Sequence, residues 1–565
     1  MAATSINCDL QHGALSGLPQ LEPIKDFSGV GAPWPVRKAY RFPDPTNTGQ
    51  PDAWLPLSSE FASVVRSPLA NDTMHRIYWT EPPGAPNQGA WWTTYNDIIA
   101  GGPAAGHPPW SLGFIPVDPS VALTVTVTGG DTTVPQIGRS YLITYIDQFN
   151  QESSPSAPSP VAEGAPDGTW TVNGLPTAPP ASPAGKNYPP VVKMRLYRTI
   201  TGTSGSVLYY EVTDIPFGSS TYVDTIPDTA IVNNNLLPSA DWNPPPDGLD
   251  GLTEMVTGML IGFTGTTVHF CEQDRPNAWP AAYDQTLFYQ IMGLAIWQTS
   301  LIVLTKGFPS TGSGSTPSGF SFQQIQAPEP CIARGSIVTD LAGVYYASSN
   351  GLIMLNYFGM QNQTLTTIAR QQWLTEYNAA SIIACRHRAQ YLAVIDGGAG
   401  FLIDYTEQRM GVTKTLPMGM ATAIWNDVYT GDAYVMLNQA VFRWDSVTTS
   451  PMVYRWRSKE FYMPAPVSLG ACQISADPSI ADPPPPLSIA NPEQPPLPPG
   501  INALFRLFVG PAGKTQILEQ YLYNAREIFR LPSGRKAFNW QFEIVARVPI
   551  HSVELASTMR ELQKA

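Results

Sequence analysis

Short apolar runs recur at a near-constant interval through the second half of the chain. Leu301 to Leu304, Val344 to Tyr346, Tyr391 to Val394 and Ala433 to Met436 are centred on Val303, Tyr345, Ala393 and Val435, and these centres are 42, 48 and 42 residues apart. Within a unit a second run follows a short turn. Val344, Tyr345 and Tyr346 lead through Ser348, Ser349, Asn350 and Gly351 to Leu352, Ile353 and Met354, and the same holds over Ala389 to Asp404 and Gly431 to Asp445. Runs this short, divided by turn residues, read as buried strands joined in hairpins. A period of roughly 40 to 50 residues carrying about four strands is the mark of propeller blades. The spacing predicts a mainly β chain with a β-propeller body over 249–460.

Upstream the pattern differs. Residues 1–118 are punctuated by Pro, Gly and Trp around short β-prone runs such as Arg76 to Thr80, which predicts an irregular, β-rich N-terminal platform. Between 119 and 248 the strands shorten and alternate: Leu123 to Val127, Ser140 to Ile146, Lys193 to Arg198, Leu208 to Val212 and Thr221 to Val223. That spacing predicts an inserted β-sandwich of fibronectin type. The Pro-rich run Trp242 to Gly248 closes it, because consecutive prolines deny donors to a sheet. Downstream, 461–565 holds a Pro-rich extended segment (Ala481 to Gly500), strands at Ala503 to Val509 and Trp540 to Val548, and a short C-terminal helix with Leu555, Met559 and Leu562 on one face.

Composition limits what such a chain does. Its 565 residues predict roughly three or four structural units. With 43% hydrophobic residues and 15 Trp it folds despite 57 Pro, and at 13% charged residues much of its surface is expected to face other subunits. A net charge of −12 argues against a DNA reader, since phosphate binding needs clustered Lys and Arg. Cys8, Cys271, Cys331, Cys385 and Cys472 are odd in number and lack any CxxC pair, so they read as reduced core residues. The N-terminus has no basic segment followed by an apolar core, and no apolar run nears the roughly 20 residues of a membrane span, so synthesis in a cytoplasm is expected.

The search for catalytic or ligand chemistry returns none: no catalytic, cofactor-binding or metal residues are assigned, and no enzyme activity or cofactor is expected. His12, His75, His107, His269, His387 and His551 are scattered without metal-ligand spacing. His387 between Arg386 and Arg388 reads as a basic surface turn rather than a phosphate site. Gly513, Lys514 and Thr515 have Phe508 where a phosphate loop needs its first Gly, and Gly312 to Phe320 is Gly- and Ser-rich without the Lys, so these read as a turn and a loop. Asp250, Glu254, Glu272 and Asp274 are close in sequence, as glycosidase carboxylates need not be. They read as part of a blade in which Arg275 pairs with a carboxylate and Trp279 packs. Trp91, Trp92, Trp279 and Trp297 are the candidates for a sugar platform, with packing the commoner use.

Several longer segments, taken in order, carry a resemblance. They are SPLANDTMHRIYWTE (Ser67 to Glu81), RSYLITYIDQFNQESSPSAPS (Arg139 to Ser159), KMRLYRTITGTSG (Lys193 to Gly205), YVDTIPD (Tyr222 to Asp228) and MLIGFTGTTVHFCEQDRPNAWP (Met259 to Pro280). SLIVLTKGFP (Ser300 to Pro309), APEPCIARGSIV (Ala327 to Val338) and VYYASSNGL (Val344 to Leu352) follow. This series resembles the nozzle proteins of short-tailed bacteriophages, the tail tubular protein B family. The most specific block is the one holding Phe270, Cys271, Glu272, Arg275, Pro276, Trp279 and Pro280. The Pro-rich stretches near Ala481 and from Leu175 to Pro190 depart from the family pattern.

The resemblance implies a structural virion protein of the tail, assembled in the host cytoplasm. It would be a homohexamer docked on the adaptor (head–tail connector) ring, forming the distal DNA-ejection channel. Tail fibres or spikes and a tail needle would be further partners, and double-stranded DNA would pass without specific binding. Low charge suits heterologous ring contacts, and an acidic wall would not brake moving DNA. The alternative from another class is a carbohydrate-binding or carbohydrate-cleaving tail propeller. A secreted adhesin is a third, opposed by the missing signal peptide.

Overall fold

The computed structural model describes residues 2–9, 13–29, 33–45, 49, 52–102, 107–200, 208–357, 359–364, 368–395, 400–404, 411–415, 418, 421–446, 449, 451–477, 497–498, 500–511, 515–532 and 534–562. The protein is mainly β. Among the described residues the longest helix, Arg370–Thr375, has only 6 residues. Two compact units divide the chain: residues 41–326, and residues 1–40 together with 327–565.

The 41–326 unit holds three antiparallel four-stranded meanders. The first runs through Ser63–Arg66, Ile77–Glu81, Gly89–Thr93 and Trp110–Ser111, inside the stretch whose sequence reads as irregular. The second comprises Asp250–Glu254, Leu260–Thr264, Thr267–Phe270 and Gln285–Thr286; the third comprises Ile291–Trp297, Ser300–Thr305, Ser310–Ser313 and Ser321–Gln324. Gly312 and Ser313 therefore end a strand rather than sit in a loop, paired with Phe322 and Ser321. The turn proper is confined to the residues before the short helix Pro317–Gly319.

Between the first and second meanders the chain makes two three-stranded sheets. One joins Thr124–Thr128, Thr169–Asn173 and Thr221–Asp224; the other joins Tyr141–Asp147, Val191–Thr199 and Tyr209–Pro216. Period-2 alternation sends Trp170 and Val172 from the first, and Tyr141, Ile143, Tyr145, Met194 and Leu196 from the second, into a single core. Thr124, Thr126 and Thr128 alternate outward to solvent.

The unit made of 1–40 and 327–565 continues the repeat. Its meanders are Val338–Asp340, Gly343–Ser348, Gly351–Asn356 and Gly359–Asn362, then Ile382–His387, Gln390–Ile395, Gly400–Asp404 and Gly411–Thr415. A third begins with Ala421–Asn426, Ala433–Leu437 and Ala440–Arg443 and receives its fourth strand from the N-terminal Glu22–Asp26. Val303, Tyr345, Ala393 and Val435 each lie on the second strand of a four-stranded meander, with exposures of 1% or less.

Ala2–Ile6 pairs in parallel with Gly411–Thr415 and antiparallel with Tyr454–Ser458, and the sheet goes on through Ala537–Ala546, Ala503–Val509 and Thr515–Leu522. A second sheet of Arg526–Arg530, Ala471–Ala476 and Ile550–Ala556 shares a core with it, containing Cys472, Ile474, Phe505, Leu507, Trp540 and Ile544. Leu555 belongs to this last strand. The expected C-terminal helix thus shrinks to the four residues Met559–Leu562, of which Leu562 is buried, because pairing with Cys472 claims the backbone around Leu555. Residues 481–496 and 499 of the Pro-rich stretch, and Gly513 and Lys514, lie outside the described residues, as does His12; Thr515 opens a strand.

Candidate functional site: a junction core in residues 41–326

The chain turns twice on buried or half-buried carboxylates. Asp72 accepts hydrogen bonds from the Met74 amide (3.1 Å), the Arg76 amide (3.2 Å) and the Arg76 guanidinium (2.9 and 3.1 Å), which folds the loop before Ile77–Glu81. Asp147 ends its strand on the inward-facing side, 2% exposed. Its Oδ1 accepts the Phe149 and Gln151 amides, both at 2.8 Å, and its Oδ2 accepts Gln151 Nε2 at 3.1 Å. Burial pushes its pKa up from 3.8 to about 6, against the opposing pull of those amides and of the Arg76 charge.

The turn held by Asp147 presents Phe149. Its ring meets Trp92 edge-on at 5.0 Å and Trp110 at 6.3 Å, and so joins the two-sheet module to the first meander. Glu152 follows. Its Oε1 accepts Thr144 Oγ1 and Tyr197 OH, both at 2.8 Å, and Ser239 Oγ at 3.3 Å, while its carbonyl accepts Asn277 Nδ2 at 3.3 Å from the second meander.

The block 270–280 completes the junction. Glu272 N donates to Ala278 O (2.8 Å) and Arg275 N to Glu272 O (3.0 Å), closing a compact turn. Trp279 is anchored by its Nε1 on Pro276 O (2.8 Å) and by its amide on Asn243 O in the Pro-rich closing run (2.8 Å). Tyr78, Trp92, Leu112, Leu249, Leu252, Leu260, Cys271 and Trp279 form one buried cluster, with Trp110 and Phe149 packed against it. Residues from Ser67 to Glu81, Arg139 to Ser159 and Met259 to Pro280, far apart in sequence, thus meet in one place.

Other expectations resolve differently. Arg275 lies over the Trp242 ring at 5.6 Å, a cation–π contact in place of the expected carboxylate pair. Glu272 instead accepts Tyr283 OH at 2.8 Å, and buried Asp250 caps its own turn by accepting the Gly251 amide at 2.7 Å. Burial raises the pKa of Glu254. Trp92, Trp279 and Trp297 are 1%, 3% and 6% exposed, so they are core residues and not a sugar platform; half-buried Trp91 donates to Asn87 O.

Each of four histidines faces one aspartate. The pairs are His107 with Asp97 (3.4 Å), His269 with Asp284 (2.8 Å), His387 with Asp445 (2.8 Å) and His551 with Asp477 (2.7 Å). No group of three ligand-type residues that could hold a metal occurs among the described residues. Arg386 and Arg388 pair with Asp340 and Asp445, so the basic turn around His387 is compensated within its own unit. All five cysteines are buried thiols; burial lifts those of Cys8, Cys271, Cys331 and Cys472 to about 12.

One cluster escapes sequence reading. Arg198, fully buried, binds Asp224 through Nη1, and its Nη2 donates to Ile226 O (2.7 Å) and Asp228 Oδ1 (2.8 Å). Tyr141 OH donates to Asp224 (2.8 Å), while Arg139 binds Asp228 (2.6 Å) and lies 4.6 Å over Trp170. The available signal was parity: Arg198 continues the inward series Met194, Leu196, and Asp224 follows Tyr222 on the same face.

No protein-family model matches the chain, and no curated protein does. Among solved structures it is similar to BamB from Moraxella catarrhalis at 11% identity and a TM-score of 0.27, over 68% of this chain and 97% of that one. The Pan2 WD40 domain of Neurospora crassa gives 11% identity and a TM-score of 0.27 over 52% and 86%. YCF48 bound to D1 peptide gives 8% and 0.26 over 60% and 100%. Likeness at this level assigns neither a family nor an activity.

Proposed function

We propose that this chain is the nozzle subunit of a short phage tail, a structural virion protein without enzymatic activity. In this reading the four-stranded meanders are blades of a propeller body and the two-sheet module is an inserted fibronectin-like sandwich. Copies assemble as a ring on an adaptor, carry fibres or spikes, and bound the lower part of a DNA channel. The supporting observation is the junction core: three of the segments that resemble the nozzle family, Ser67 to Glu81, Arg139 to Ser159 and Met259 to Pro280, the last holding the most specific block, meet there through Tyr78, Phe149, Leu260, Cys271 and Trp279. Of the four Trp that could form a platform for the sugar-binding alternative, Trp92, Trp279 and Trp297 are packed in cores and Trp91 is half-buried.

The test is the particle mass by light scattering, for the protein alone and mixed with its candidate adaptor ring. Closed rings of about six copies, alone or on the adaptor, are the expected result. A monomer that ignores the adaptor and binds or cleaves a glycan sinks the reading.

A further inference from the structure

Charge is divided unevenly along the chain. Residues 41–326 carry 10 Lys and Arg against 23 Asp and Glu, whereas residues 1–40 with 327–565 carry 22 against 21. The whole acidic excess therefore sits in the first of these units.

Ion pairing sharpens the division. In the two-sheet module every cation is consumed internally: Arg139 by Asp228, Lys186 by Asp247, Lys193 and Arg195 by Asp214, and Arg198 by Asp224 and Asp228. What the module offers to solvent is uncompensated carboxylate. Asp131 and Asp167, both exposed, share one corner, where the Asp131 amide donates to Asp167 Oδ1 at 2.9 Å.

The other unit shows the converse. Tyr462 and Phe538, 73% and 45% exposed, stack at 6.1 Å on neighbouring strands. Around them Lys459, Arg535 and Lys536 are exposed, none with a carboxylate partner among the described residues, while the neighbouring exposed Glu460 accepts a hydrogen bond from Asn539 Nδ2, so the strip carries three cations against one carboxylate. Exposed Pro464 and Pro466 on the Phe461–Val467 strand discourage extension of the sheet by another strand, so binding here uses side chains. Lys459 Nζ lies 5.7 Å over the Phe461 ring, and exposed aromatics flanked by an excess of cations without carboxylate partners fit an acidic protein surface.

We propose that the Tyr462/Phe538 strip, with Lys459, Arg535 and Lys536, docks on the Asp131/Asp167 corner of the module in a second copy of the chain. The two surfaces differ, so the contact is head-to-tail and can propagate around a ring. This deepens the self-assembly part of the nozzle reading. It commits to a protein partner; nucleic acid is the rival for the basic strip.

The experiment is light scattering of the full chain at about 50 mM and about 500 mM salt, where screening lengths differ roughly threefold. Association at low salt that weakens at high salt is expected. R535E/K536E and D131K/D167K should each weaken it by on the order of tenfold or more, and mixing the two variants should restore it, because each reversed surface then meets its complement. Y462S/F538S should also weaken it, and circular dichroism checks that each variant is folded. Association unchanged in R535E/K536E, or not restored by mixing, overturns the interface while leaving the nozzle reading intact. So does a wild-type chain that is monomeric at both salts yet forms a ring on the adaptor. A chain that is monomeric and ignores the adaptor sinks both. If R535E/K536E instead abolishes retention of a short DNA duplex without changing mass, the strip is a nucleic-acid surface and the proposal fails.

Discussion

Asp147→Asn should make the protein more stable at neutral pH and leave it no more stable in acid. The Asp147 carboxyl is 2% exposed, and its pKa stands at about 6 in the folded chain against 3.8 ordinarily. That difference corresponds to about 3 kcal/mol favouring the protonated form. Because the folded pKa is raised, the folded state holds the proton more tightly than the unfolded one. The ionised group therefore opposes folding in full above about pH 6, and the penalty fades as pH falls from about 6 to about 4. Asparagine removes the charge and keeps an oxygen for the Phe149 and Gln151 amides, but loses the acceptor for Gln151 Nε2, at a cost of about 1 kcal/mol. The net gain at pH 7 is about 2 kcal/mol. With an m-value of about 3 kcal/mol/M, the urea midpoint of the transition seen by Trp fluorescence rises by about 0.7 M at pH 7 and not at pH 4. An equal effect at both pH values, or a loss at pH 7 with none at pH 4, would refute burial as the dominant influence on this carboxyl.

Phe149→Ala removes the ring between Trp92 and Trp110 and should cost about 2 to 3 kcal/mol; limited proteolysis should then release the 119–248 module faster, and an unchanged digestion rate counts against the junction as its anchor. Arg198→Ala strands Asp224 in a buried site and should destabilise the module by about 3 to 5 kcal/mol, read as a lowered melting transition, with Arg198→Lys only partly restoring it. Native protein should react with a thiol reagent at essentially none of its five cysteines, and all five should react in denaturant; rapid native labelling of any one would contradict its burial.

Much of the local structure was legible in the chain. Alternation in Thr124–Thr128 sets which residues face inward, and the interval from Val303 to Val435 marks second strands of successive meanders, because side-chain parity and hairpin length are properties of the backbone itself. The strand Thr169–Asn173 is not legible, since Gly and Pro on either side mask a short run, and the apolar spacing of four and three over Leu555, Met559 and Leu562 fits a strand end followed by one helical turn as well as it fits a helix. Proximity between distant segments was not legible. Nothing local says that Glu22–Asp26 closes the sheet begun at Ala421, that Phe149 reaches Trp92, or that Arg275 finds Trp242 rather than a carboxylate. Those pairings depend on which buried groups compete for the same partner once the chain is compact. The sequence by itself determined a mainly β chain, its strand periods and its charge imbalance. Tertiary structure alone decided which carboxylates are buried, which cations remain free and which aromatics are left in solvent, because desolvation and ion pairing are set by three-dimensional neighbours.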